Sequence, residues 1–135
     1  MGAWGIGIFD DDSALDFLAE LTQTKNPLTL MNNSFTSAAA SEYLDYDAAQ
    51  GVLVSAAALD TLLNGTQHGV GLENFDAWVR LNRNLSVVTL KPLAVSALHR
   101  VLSEGSELLE LWSENAEDYP SWQDGIDSLA ARLDN

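Results

Sequence analysis

The residues able to do chemistry in this chain are mostly carboxylates. Asp10, Asp11 and Asp12 follow a glycine-rich opening, and further acids gather in Glu42–Asp47 and Glu114–Asp118. Three adjacent aspartates could hold a divalent cation or share acid–base work. The alternating ligands and distant Glu of a calcium loop are missing, and capping of a following helix accounts for the run equally well. His68 and His99 are the only histidines. Neither has the neighbouring histidine of a helical zinc motif, so each reads as a surface or capping residue. The chain has no cysteine, which removes thiolate nucleophiles, redox pairs and disulfides. No Gly-x-Ser-x-Gly elbow is present. The expectation is no catalytic residue, no metal and no cofactor. An enzyme using Asp10–Asp12 is the alternative, and a structural or oligomeric module without ligand is a third reading.

Charge narrows the partner class. The net charge of the 135 residues is −14. Residues 1–63 carry nine acids against Lys25, residues 64–103 are slightly basic, and residues 104–135 carry nine acids against Arg132. Nucleic acid needs clustered Lys and Arg, so it is not expected as a ligand. An acidic field favours solubility and fast capture of a basic partner. Tyr43, Asp45, Tyr46 and Asp47, with Glu114, Glu117, Asp118 and Tyr119, combine aromatic rings with carboxylates and are the candidate partner-binding residues. No apolar run reaches the roughly 18 residues of a membrane span, and no secretory signal is visible at the start. The expected setting is the cytoplasm, with no membrane partner.

The elements that must position these groups read as helices. Ala14, Phe17, Leu18 and Leu21 predict a helix from about Ser13 to Gln23, capped by Asp11 or Asp12. Residues 28–42 read as helical but interrupted at Asn32-Asn33-Ser34, with Ser34 able to cap a second short piece. Asp45 or Asp47 starts a long helix to about Leu63, apolar almost all round and therefore central, with Gly65 as its left-handed stop. Gly51 within it permits close packing. Phe75, Trp78 and Val79 define a short helix ending near Asn84. Val87–Leu90 favours extended chain without a strand to pair with. Pro92 opens the next helix, Ser106 caps a short one carrying Leu108, Leu111 and Trp112, and Tyr119-Pro120 opens the last, with Trp122, Ile126, Leu129, Ala130 and Leu133 on one face. The fold class is all-α, a compact single-domain bundle of about six to seven short helices spanning 1–135.

The opening stretch Met1–Asp12 stands apart. Gly2, Gly5 and Gly7 carry Trp4 and lead through Ile8 and Phe9 to Asp10. A phosphate-cradling loop would need a preceding strand and a Gly-Lys-Ser/Thr sequence, and the aspartates would repel phosphate. The stretch is expected to be an ordered structural motif with Trp4 anchored in the core. Of the four tryptophans, Trp4, Trp78, Trp112 and Trp122, at least three are expected as core anchors.

The opening Gly-x-Trp-Gly-x-Gly-x-Phe-Asp, together with Ser106–Trp112, Trp122 and Leu129–Leu133 at the close, resembles a bacterial family, the domain-of-unknown-function family numbered 4259. The resemblance implies an acidic residue within the alanine-rich helix, near the point where this chain has Ser55, and residues 24–42 match it poorly. It brings no settled activity. By analogy with small acidic immunity proteins, the expected function is an acidic binding protein that blocks a basic toxin.

Overall fold

The computed structural model describes residues 7–69 and 72–134. Gly2, Trp4 and Gly5, and with them the expected core anchoring of Trp4, lie outside the described residues. Among those described, the chain forms seven α-helices and no strand. They are α1 (Asp12–Gln23), α2 (Pro27–Ala40), α3 (Tyr46–Asn64), α4 (Glu73–Leu81), α5 (Lys91–Val101), α6 (Glu107–Ser113) and α7 (Tyr119–Leu133).

The helix α3 is the axis of the bundle. Twelve consecutive residues, Ala49 to Asp60, are buried, which requires neighbours on every side. The helices α1, α2, α5 and α7 pack around it, with α4 and α6 at its ends. Alanine at positions 49, 56, 57 and 58 keeps the surrounding backbones close. Gly51 has the same effect on α1. A Cβ there would meet the Phe17 ring at 3.0 Å, so the ring lies directly on the glycine.

Each helix end has a local cause. Asp11 caps α1 by accepting from the Ala14 N–H at 3.1 Å, and Asp45 caps α3 by accepting from Ala48 N–H at 2.8 Å. Gly65 ends α3 with φ 73°, the left-handed conformation in which a side chain would be strained. Ser106 caps α6.

Two local readings are corrected. The α2 helix runs unbroken through Asn32-Asn33-Ser34, because Met31, Phe35 and Ala38 are all buried along one face. Ser34 caps nothing and instead donates its hydroxyl to the Leu30 carbonyl at 3.0 Å. Val88–Leu90 is a turn of 3-10 helix rather than extended chain. It runs straight into α5, and Leu90 is buried there.

The segment before α3 is tied across the chain to the segment before α6. Leu44 N–H donates to the Gly105 carbonyl at 2.8 Å, and Glu107 N–H donates to the Leu44 carbonyl at 2.9 Å. The Arg100 guanidinium closes this crossing, with contacts of 3.2–3.4 Å to the carbonyls of Ser41, Glu42, Glu104 and Gly105.

Core packing sets the first expectation. Leu59 has no exposed surface. Leu59→Ala is expected to lower stability by about 2–5 kcal/mol, measured as a reduced urea midpoint at an unchanged denaturant slope.

Candidate functional site

Three polar arrangements stand out from the apolar frame, two of them built on α3. The first is Asp60. It lies on the central helix with no exposed surface. Its Oδ1 accepts from Asn64 Nδ2 at 2.8 Å. Its Oδ2 accepts from Arg132 Nε at 2.9 Å and pairs with His68 Nε2 at 2.8 Å. Burial alone would raise the carboxyl, but the bonds from Asn64, Arg132 and His68, with the Arg132 charge, outweigh it and hold Asp60 below its ordinary value. His68 is lowered, by burial first and by the Arg132 charge, against the opposing pull of Asp60. The neutral ring therefore carries its proton on Nε2, toward Asp60, and leaves Nδ1 as an acceptor. His68 is thus not the surface residue expected from its glycine-flanked loop; it fastens that loop to α3. His99 is exposed.

The second arrangement links α3 to the start of α1. The Tyr46 phenol donates to Asp11, while Gln50, one turn further along α3, acts on the phenol in the opposite sense and lowers it. Burial, then the bond to and charge of Asp11, push the phenol up to about 12, so it keeps its proton and remains a donor. Gln50 is buried, and its Oε1 has no hydrogen-bond partner among the described residues. Asp11 and Gln50 both line a cavity of about 270 Å³ together with Leu53, Ile126, Trp112 and Trp122. The two indoles stack at 5.7 Å with 12° between their planes. Gly7, Ile8, His68 and Arg132 complete part of its rim.

The third is an acidic surface around Tyr43, a residue 52% exposed. Tyr43 O–H points to Glu110 Oε1 at 3.5 Å. Desolvation, then the charges of Glu110, Glu107 and Asp45, raise the phenol above its ordinary value. Glu107 and Glu110 fall at i and i+3, so they share one face of α6, and Glu114 is its C-cap. Glu107 also accepts from the Tyr46 backbone N–H at 2.8 Å, which holds the two segments together.

The candidate partner-binding residues divide accordingly. Tyr43, Asp45 and Asp47 are exposed, as are Glu114, Glu117 and Asp118. Tyr46 is half-buried and spent on Asp11, while Tyr119 is half-buried with its ring 6.1 Å from Trp122. Glu107 and Glu110 join Tyr43 although the sequence did not single them out. In the opening motif, Gly7 donates its N–H to Asp10 Oδ2 at 3.1 Å, and Phe9 is buried 5.7 Å from the Phe75 ring. Asp10 and Asp11 therefore face different partners, and among the described residues no group of three or more potential metal ligands converges.

The family model described as a domain of unknown function (DUF4259) matches residues 2–125. The chain belongs to this family. Asp11, Gln50, Asp60 and His68 of this DUF4259 chain fall within the matched stretch, whereas Arg132 lies beyond it. No curated protein and no solved structure is significantly similar to the chain. The position near which the family resemblance implied an acid is Ser55 in this chain, and the buried acid of α3 is Asp60. Ser55 itself is buried with an unpartnered hydroxyl among the described residues.

Two outcomes test the Asp60 arrangement. Arg132→Ala leaves a buried carboxylate short of its only cationic ligand among the described residues. It is expected to cost about 3 kcal/mol, the low end for a broken buried pair because Arg132 is partly exposed. Both titrating groups have folded values below their ordinary ones, 6.5 for His68 and 3.8 for Asp60. The folded state thus disfavours protonation of each. The His68 contribution is complete above pH 6.5 and fades as pH falls below it; the Asp60 contribution fades below 3.8. Melting temperature is expected to fall from neutral pH toward mildly acid pH, with a shallower slope in His68→Gln.

Proposed function

We propose that the chain is an acidic binding protein whose partner is a basic protein, of the kind an immunity protein meets in a toxin. The observation that carries this reading is Tyr43, an exposed aromatic ring set among Glu107, Glu110 and Asp45. Aromatic side chains with a polar tip supply contact area at low entropic cost and are enriched at interfaces. Carboxylates around such a ring steer a cationic surface onto it and exclude anionic ones. The net charge of −14 extends the same field over the molecule. The charge distribution argues against nucleic acid as the partner.

The surface is also held in shape. Asp45 caps α3, Glu107 bonds the Tyr46 N–H, and Arg100 binds the carbonyls on either side of the crossing. A partner would meet ordered backbone and would not have to order a loop on binding. Absence of cysteine suits a reducing compartment, which supports the cytoplasm as its setting.

The test is capture of basic proteins from the native host, followed by association kinetics at low and high salt. The Tyr43→Ala, Glu110→Lys double variant removes the exposed ring and reverses one charge without touching a helix cap. An association rate lowered about tenfold or more, with a weaker salt dependence, is the expected result. Capture that ignores both salt and these substitutions would sink the reading.

A further inference from the structure

The cavity between the N-cap of α1, α3, α6 and α7 holds two buried acceptors that the acidic surface does not use. Asp11 is a carboxylate with only 3% of its surface exposed. It accepts from Ala14 N–H and the Tyr46 phenol, both neutral donors, and no cationic side chain pairs with it among the described residues. Arg132, which lines the same cavity, is turned onto Asp60. Beside Asp11, Gln50 is 4% exposed, and its Oε1 has no hydrogen-bond partner among the described residues. Gln50 lies beside the Tyr46 phenol, which itself donates to Asp11. A buried acceptor left empty costs about 1–3 kcal/mol, and such groups call for an explanation.

The walls complete the description of the guest. Leu53 and Ile126 are apolar, and the stacked indoles of Trp112 and Trp122 present π-systems that attract cations. Asp11 and the Gln50 Oε1 accept but cannot donate to a guest, so this end of the cavity favours a donor-bearing group, while Arg132 on the lining is already engaged by Asp60. The volume of about 270 Å³ is just under the range typical of ligand pockets, which fits a fragment-sized group.

We propose that this cavity is a binding site for a small organic cation bearing several N–H donors, of the guanidinium or alkylammonium class. Asp11 supplies the counter-charge, Gln50 Oε1 accepts one N–H, and the indoles cover the apolar part of the guest. The same chemistry is carried by a free small molecule and by an arginine or lysine side chain of a partner. The site uses none of Tyr43, Glu107 or Glu110, so it stands independently of the acidic-surface reading.

The test is titration of the full chain with ethylguanidinium chloride and with a capped Gly-Arg-Gly peptide, at ionic strength matched with sodium chloride. Binding is read by tryptophan fluorescence and by calorimetry. Saturable one-to-one binding in the low-millimolar range or tighter is expected. Asp11→Asn keeps a residue able to cap α1 and removes the charge, and Gln50→Leu removes the acceptor. Each is expected to weaken binding about tenfold or more, with circular dichroism confirming the fold. Binding of ethylguanidinium alone identifies a free small cation as the guest, and binding of the peptide identifies a side chain; either supports the site. Lack of saturable binding by both probes overturns it, as does binding that survives Asp11→Asn and Gln50→Leu unchanged. Tyr43→Ala, Glu110→Lys is expected to leave the titration unaffected, which separates failure of this site from failure of the acidic surface.

Discussion

A carboxylate with no exposed surface in an apolar bundle is the constraint around which the end of α3, the loop after it and α7 are arranged. Asp60 sits on α3 at the end of a run of twelve consecutive buried residues. An ionised side chain there is tolerable only if its lone pairs are filled. Asn64 fills one from the same helix, His68 one from the following loop, and Arg132 one from the last turn of α7. The end of α3, the loop that follows it and, 72 positions on, the last turn of α7 are thereby fixed to one point, and the rim of the cavity inherits its positions from them. The arrangement adds specificity to a core whose other contacts are non-directional.

Much of this architecture is legible before folding. The i, i+3, i+4 spacing of apolar residues marks α1, α3 and α7, and the caps Asp11, Asp45 and Ser106 are readable because capping is a local act within three residues. The all-round apolarity of α3 announces its central place. What escapes is whatever depends on a distant partner. Asp60 is inconspicuous because its cation lies 72 positions away, and His68 stands in a glycine-flanked loop that looks solvated. A signal was present in hindsight: an acid inside a helix with no polar face has nowhere to go but toward a buried donor. Asn32-Asn33-Ser34 misleads in the opposite way. Its residues favour turns intrinsically, yet the buried face of Met31, Phe35 and Ala38 outweighs that preference.

The acidic surface shows a similar division. The exposure of Tyr43 and the acids beside it follows from composition. That Glu107 and Glu110 join them follows from the pairing of Leu44 with Gly105 and Glu107, a contact between segments some 60 residues apart in sequence. Membership of the DUF4259 family covers most of this frame but stops before Arg132. One ligand of the central carboxylate is therefore contributed by the part of α7 outside the matched stretch.

Arg100 gives the crossing of these segments a property that contact lists do not convey. In a chain this acidic, a guanidinium would be expected to seek carboxylates, yet the Arg100 head is engaged with four backbone carbonyls from two separate connections. Gly105 makes this possible. Its φ of 86° turns the carbonyl inward, and a Cβ there would press on the Glu42 carbonyl at 3.3 Å. The result is a rivet with no dependence on side-chain acids. Salt or pH changes that strip the acidic surface of its field leave the rivet's neutral acceptors unaltered, so shape and charge at this face are separately controlled.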